Sequence, residues 1–213
     1  MPDSTIYSHS NDGVIYKNHV VVGGARLSST GTVESGDNTN KVGIDRVPAG
    51  RGATYTYYRA FYFFDLGSES GTIDSADLKV YQAGNATVKF RAVEWGSSSS
   101  SLATGDFDSV FTSGSGASAV MTAYSAEVLS SGSAGYDTFT MNSDGISAIQ
   151  SAVGSGLFRV ALVSEEDYDG NLGISQDYFE TMTFANSVFN KPKLEITYTT
   201  GVTYNAPFLG ANF

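Results

Sequence analysis

The chain has 213 residues, with 24 glycines, four prolines, no cysteine and a formal net charge of −10. This length suits one large all-β domain that buries its core without disulfides, and the lack of cysteine excludes thiol chemistry and cysteine-ligated metals. Twelve Lys and Arg residues against 22 Asp and Glu residues exclude an extended basic face for duplex nucleic acid, and no apolar run is long enough for a membrane helix.

Short runs of β-branched and aromatic residues alternate with Gly, Ser, Asn and Asp, a pattern typical of strands joined by turns. Near the amino terminus, short strands are predicted around Ile6, around Ile15 and over residues 20–22. Longer strands are predicted over residues 54–66, 77–82, 87–95, 136–141, 157–164, 181–185 and 193–199. The glycine- and serine-rich stretches 23–51, 96–119 and 130–135 are predicted to be loops.

One short helix is predicted over residues 143–153. Asn142 or Ser143 can accept a hydrogen bond from a free backbone N–H at its start, and Gly154 can end it. One side of the helix can pack against a sheet, because apolar residues recur at helical spacing at Ile146, Ile149 and Val153. A single short helix among many strands favours a sandwich with one helical crossover over an α/β fold.

Two consecutive segments resemble the signature of the DNRLRE-type jelly-roll domains, which are related to carbohydrate-binding modules that recognise polyuronates. Residues 59–66 read Arg-Ala-Phe-Tyr-Phe-Phe-Asp-Leu, and residues 73–78 fit the Ile-x-Ser-Ala-x-Leu pattern of that family. Further matches follow in the family's order at residues 12–15, 93–95, 146–153 and 191–198, whereas the region between residues 95 and 136 departs from the pattern. The resemblance implies a jelly-roll β-sandwich.

Together these patterns predict an all-β protein, a jelly-roll β-sandwich with one short helix. The domain is predicted to cover residues 1–200, and residues 201–213 are predicted to form an extended carboxy-terminal arm. The arm carries no charged side chain and ends in an aromatic residue. We therefore expect it to dock on the parent domain or on a neighbouring subunit, with an interface at Pro207, Phe208 and Phe213.

The predicted strand 54–66 is aromatic on both faces. Because side chains alternate along a strand, Tyr57, Arg59, Phe61 and Phe63 share one face, which is too apolar for a face in contact with water. Burial beneath a loop or the amino-terminal segment is one interpretation. The other is an assembly interface through Phe61 and Phe63, in which each buried ring would contribute ~2 kcal/mol.

Aromatic side chains near loop-like segments are candidates for stacking on sugar rings. These candidates are Tyr55, Tyr57, Trp95 and Tyr168. Basic residues are concentrated in the first 60 positions, and Arg59 among them could contribute to a local basic groove that binds a ligand. The net charge of −10 repels polyanions at long range, which favours neutral sugars.

A short acidic segment carries a calcium hypothesis. Asp167, Asp169 and Asn171 offer oxygen ligands at alternate positions, a set that suits a hard cation such as calcium. The sixth position of this loop is Leu172 instead of the glycine of a helix–loop–helix site, and no glutamate follows at the closing interval. The simpler alternative is an acidic turn that faces water.

No catalytic constellation emerges, since His9 and His19 lack partners at a ligand or triad spacing. We therefore expect a non-enzymatic protein without a cofactor, calcium apart. The first four residues lack the features of a secretory signal, and with the absence of cysteine this favours a structural virion protein of a tailed phage, such as a head decoration or a tail- or fibre-associated component.

Such a virion protein would assemble in the host cytoplasm, by contacts with other virion proteins or with its own copies in a homo-oligomer. The alternative is a carbohydrate-binding module that attaches to a surface polysaccharide, which would place the protein outside the cell or at the cell surface. Neither a nucleic acid nor insertion into a membrane is expected.

Overall fold

The computed structural model describes residues 3–50, 52–84, 86–113, 119–130, 132–154, 156–171, 173–174, 176–184, 186–187 and 189–199. The strands are β1 (Ser4–Tyr7), β2 (Gly13–His19), β3 (Thr32–Ser35), β4 (Thr39–Ala49), β5 (Gly52–Asp65), β6 (Ile73–Gln82), β7 (Lys89–Glu94), β8 (Val128–Leu129), β9 (Gly135–Thr140), β10 (Leu157–Ser164), β11 (Tyr178–Thr183) and β12 (Lys193–Tyr198). The helices are α1 (Val22–Arg26), α2 (Ser143–Ala152) and α3 (Glu165–Tyr168), with a 3-10 turn at Thr104–Phe107.

The strands form one antiparallel sheet that folds over into two layers. Its order is β1-β12-β6-β11-β4-β5-β10-β7-β8, with β9 beside β6, and with β2 and then β3 beside β5. The link between the layers is narrow, since β11 pairs with β6 only through Met182 and Gln82. Apolar side chains of β6, β9 and β12 meet those of β5, β7 and β10 in the main core. The predicted all-β, sandwich-like fold is confirmed.

The predicted helix is confirmed as α2, but it is not the only helix. The Asn142 side chain accepts hydrogen bonds from the backbone N–H groups of Asp144 and Gly145, and Ile149 is fully buried. The prediction of a single helix is wrong because α1 and α3 also form. The strand predicted over residues 20–22 is wrong as well, since α1 begins at Val22.

The long amino-terminal loop predicted over residues 23–51 is also wrong, since β3 and the 11-residue strand β4 lie within it. The polar composition of residues 23–51 does not indicate the strand β4, because β4 forms its backbone hydrogen bonds with neighbours distant in sequence. It pairs with β5 on one side and with β11 on the other. Tertiary pairing here overrides a composition that is typical of loops.

The outer face of the β5 layer is buried by the chain itself. Residues 102–113 and 119–121, named here the covering segment, place Phe107, Val110 and Met121 against it, and α1 adds further apolar contacts. Phe61 and Phe63 are 0% exposed beneath this layer. The predicted assembly interface at these two residues is therefore wrong, and the alternative of burial beneath a loop is confirmed.

The predicted contacts of the carboxy-terminal arm at Pro207, Phe208 and Phe213 lie outside the described residues, as does the predicted domain boundary at residue 200. Within the described part of the chain, no helix combines the length and apolar character needed to cross a membrane.

Candidate functional site

Three charged residues form a buried cluster on the outer side of β5. Arg59 donates from Nε to Oδ2 of Asp167 at 2.7 Å and from Nη2 to Oδ1 at 2.9 Å. Arg26, at the end of α1, has its Nε 3.2 Å from Oδ1 and donates to the backbone carbonyl of Asp167 at 2.9 Å. All three side chains are at most 3% exposed. Asp167 therefore joins α1 and α3 to the central strand.

Aromatic rings enclose the two guanidinium groups of this cluster. The Cζ of Arg59 lies 4.2 Å from the ring centroid of Phe107 and 4.9 Å from that of Phe111, and the Cζ of Arg26 lies 5.0 Å from the Phe111 centroid. Burial lowers the pKa of Arg26, and the Asp167 carboxylate opposes this effect. The cluster thus fastens the covering segment to the sheet by charge, hydrogen bonds and cation–π contacts.

The sugar platform predicted around this strand is wrong. Tyr57 and Arg59 are fully buried, and Trp95 packs edge-on against Phe61 and Phe63 with 4% of its surface exposed. None of these three side chains can stack on a ligand while the covering segment stays in place. The cause lies in the packing of residues distant in sequence, which alternation along a strand cannot reveal.

The two remaining ligand candidates are half-buried and are not brought together with the others. Tyr55 packs at the margin of the second core. Tyr168 lies under the guanidinium of Arg91, whose Cζ is 4.3 Å from the ring centroid, and Arg91 in turn binds the Glu165 carboxylate. Tyr168 is therefore engaged with protein groups on this side of its ring.

The calcium hypothesis for Asp167 stays a prediction, although both carboxylate oxygens of Asp167 accept hydrogen bonds from Arg59 in the structure. Asp167 lies in α3, Asp169 follows directly after its end, and Asn171 Oδ1 accepts from the backbone N–H of Gly173 at 2.8 Å. Among the described residues, no three His, Cys, Asp or Glu side chains are placed together so that they could hold a metal ion. Asp169 therefore belongs to no such group.

The outer face of the other layer remains exposed, and its residues follow from the strand register. Tyr7 of β1 pairs with Lys193 of β12, Lys193 with Lys79 of β6, and Lys79 with Thr138 of β9. Two residues further along these strands, on the same face, Tyr81 pairs with Tyr136. This face is polar in its centre and aromatic at one end.

The aromatic end of this face is named here the tyrosine platform and consists of Tyr7, Tyr81, Tyr136 and Lys193. Tyr7 is 58% exposed and Tyr136 is 38% exposed. The Tyr81 and Tyr136 rings lie 5.4 Å apart in an edge-to-face arrangement, and the Lys193 Nζ is 5.2 Å from the Tyr136 ring centroid. Tyr136 donates from its hydroxyl to the backbone carbonyl of Lys191 at 3.1 Å.

Two of the three exposed large aromatic side chains among the described residues lie on the platform. Among the described residues, the large hydrophobic side chains that are strongly exposed include only three aromatics, namely Tyr7, Tyr136 and Phe189. Phe189, 77% exposed, lies two residues before Lys191, which Tyr136 binds. The two platform-side lysines, Lys79 and Lys193, each contact Glu195 at 2.7 Å and hold the pKa of its carboxyl below its usual range.

Sequence reasoning missed the platform, although part of its signal is readable. Residues 135–140 alternate in type, so that Tyr136, Thr138 and Thr140 share the exposed face of β9. Tyr7 and Tyr81 reach the same place only because β1, β12, β6 and β9 are neighbours in the fold.

No protein-family model matches the chain, and none of the curated proteins compared with it matches either.

Proposed function

We propose that this protein is a non-enzymatic structural component that works by assembly with other proteins, in the manner of a virion protein of a tailed phage. The observation that carries the proposal is the difference between the two outer faces of the sandwich. The chain covers one face with its own residues and leaves the tyrosine platform exposed on the other.

The chemistry of the platform supports a role in protein contacts. Tyrosine is enriched among the residues that dominate binding energy at interfaces, because its ring buries a large apolar area while its hydroxyl keeps a hydrogen-bond partner. Tyr136 and Tyr81 hold each other edge-to-face, and Lys193 is fixed by Glu195. Side chains that are already ordered lose less conformational entropy when a partner binds.

The assembly proposal is tested with a Tyr7→Ser/Tyr136→Ser double variant of the full chain. We expect the wild type to form oligomers or to sediment with phage particles, and the double variant to lose this association while remaining folded. Light scattering and sedimentation measure the association, and circular dichroism checks the fold. The matched control is Thr5→Ser/Thr138→Ser on the same face, which should associate like the wild type.

Two results would count against the assembly proposal. One is a wild type that stays monomeric at all concentrations and does not sediment with particles. The other is an unchanged association of the double variant, because it would remove the tyrosine platform, the observation that carries the proposal.

A second candidate function is attachment to a surface polysaccharide, and the same platform favours it. The half-exposed Tyr81 ring and the exposed Tyr136 ring lie next to the Lys193 ammonium. This combination of apolar rings and polar groups can stack on a sugar and bind its hydroxyls. The test is retention of the protein on neutral glycan arrays. Retention that Tyr136→Ala abolishes, in a protein that does not self-associate, would favour this function over assembly.

A further inference from the structure

A cavity of about 480 Å³ lies between the second half of α2 and the start of β10. The volume is in the range of small-molecule sites in proteins. The described residues that line the cavity are Ala148, Ser151, Ala152, Gly156, Leu157 and Arg159. Ser151 is exposed, so the cavity can be reached from the solvent. None of these residues belongs to the tyrosine platform, and neither proposed function accounts for the cavity.

Arg159 gives the cavity a guanidinium group that the chain holds in place. Its Nε donates to the Ser99 carbonyl at 2.7 Å, its Nη2 to the Ser98 carbonyl at 3.0 Å and its Nη1 to the Leu157 carbonyl at 3.3 Å. Because a guanidinium group has five N–H donors, one N–H on Nη1 and one on Nη2 have no acceptor among the described residues. These two donors are adjacent at the tip of a planar group, an arrangement that binds both oxygens of one carboxylate.

No carboxylate side chain balances the charge of Arg159. All 22 Asp and Glu residues lie in the described part of the chain, and none of them forms an ion pair with Arg159. In contrast, Arg91 of the neighbouring strand β7 binds the Glu165 carboxylate. Arg159 is half-buried, and partial burial of an unpaired charge costs free energy that an anionic ligand would recover.

We propose that this cavity binds a small monocarboxylate with an apolar body, whose carboxylate accepts from the two free N–H groups of Arg159. One guanidinium group matches one negative charge, and the net charge of −10 disfavours dianions such as phosphate esters more strongly than monoanions. The methyl groups of Ala148 and Ala152 and the side chain of Leu157 provide apolar surface for the rest of the ligand. The protein would then bind a small molecule in addition to the macromolecular partner proposed above.

The test is an NMR titration of the full chain with sodium benzoate, with benzamide as the neutral counterpart of similar shape and sodium chloride at equal ionic strength. We expect benzoate to shift the backbone amide signals of Ala148, Ala152 and Arg159 in a saturable way. Benzamide and chloride should cause no saturable shift at the same concentrations. Arg159→Gln removes the charge and the paired donors, so its dissociation constant for benzoate should be about 10- to 100-fold higher than that of the wild type.

The matched control is Lys191→Gln, which removes another positive charge that has no ion pair among the described residues and that lies outside the cavity lining. This variant should bind benzoate like the wild type. The proposal is overturned if the wild type shows no saturable shift, or if the wild type and Arg159→Gln bind benzoate equally well. Tighter binding of inorganic phosphate than of benzoate would overturn the assignment to monocarboxylates.

Arg159→Gln also removes the hydrogen bonds to the Ser98 and Ser99 carbonyls, so a second variant tests the cavity with Arg159 in place. Ser151→Phe puts a ring into the cavity from its exposed side, and we expect it to abolish the benzoate shifts in a folded protein. Unchanged binding of benzoate by Ser151→Phe would refute the cavity as the site.

Discussion

Arg59 and Asp167 lie 108 positions apart in the sequence and form a two-point ion pair on the outer side of β5, at 2.7 and 2.9 Å. The pair joins the central strand to α3 beneath the covering segment. Because both partners are enclosed, neither is available for an external ligand. The arginine that opens the family-like segment 59–66 thus stabilises the packing of the second core.

Asp167→Asn should strongly destabilise the protein, because it leaves two buried guanidinium groups without a carboxylate. Breaking a buried ion pair from one side costs about 3–5 kcal/mol of unfolding free energy. Urea unfolding followed by circular dichroism measures the loss. The control is Glu127→Gln, which breaks the exposed pair with Lys89 and should leave stability unchanged. A similar stability of both variants would contradict a structural role of the cluster.

Phe63→Ala should also destabilise the protein, because the ring is fully enclosed and packs edge-on against Trp95 at 4.7 Å between centroids. Removing a buried phenylalanine costs about 3–5 kcal/mol through lost burial and the cavity left behind. Tyr7→Ala, at an exposed position, should change the unfolding free energy by less than ~0.5 kcal/mol. A folded Phe63→Ala variant with wild-type stability would restore the interface hypothesis for this residue.

Asp137 makes the stability of the protein depend on pH. Its side chain points into the main core from β9, Oδ2 has no hydrogen-bond partner among the described residues, and burial raises the pKa from 3.8 to about 6, with the Glu180 charge as a second cause. Between these two pH values the folded state binds the proton more tightly than the unfolded chain. The contribution of Asp137 to the free energy of unfolding is therefore full below pH ~4 and is lost as the pH rises through about 6.

Asp137→Asn should remove the loss of stability that follows deprotonation of Asp137, because the amide carries no charge at any of these pH values. The variant should exceed the wild type in unfolding free energy by roughly 1–3 kcal/mol at pH 7, and the difference should shrink toward pH 4. Urea unfolding of both proteins at pH 4 to 8 measures it. Parallel pH profiles would show that Asp137 is not the group responsible.

Asn142→Ala should weaken the start of α2. The Asn142 side chain accepts from the N–H groups of Asp144 and Gly145, both at 3.0 Å, and donates to the Ala123 carbonyl at 2.7 Å. Loss of such a cap costs about 0.5–2 kcal/mol in unfolding free energy. Asn142→Asp keeps the acceptor and should lose less in the same thermal unfolding experiment. Equal losses would assign the effect to the bond with Ala123 instead.

Local patterns were sufficient for α2 and for most long strands. The cap at Asn142 and the buried Ile149 are signals within one short segment, so the helix can be read without knowing the fold. The strand β5 is equally clear, since its run of β-branched and aromatic residues favours no other structure. The strand β4 escaped prediction because its polar residues acquire their pairing only from β5 and β11.

The sequence by itself determined that this acidic, cysteine-free chain forms an all-β, sandwich-like fold with a strand that is aromatic on both faces. Composition and two-residue alternation are local properties, and they are enough for that conclusion. Only the tertiary structure decided what covers each face. The covering segment buries Tyr57, Arg59 and Phe61. The pairing of β1 with β12 and of β9 with β6 instead places Tyr7 and Tyr136 on one solvent-exposed face. Exposure depends on contacts between residues distant in sequence, and no local pattern specifies those contacts.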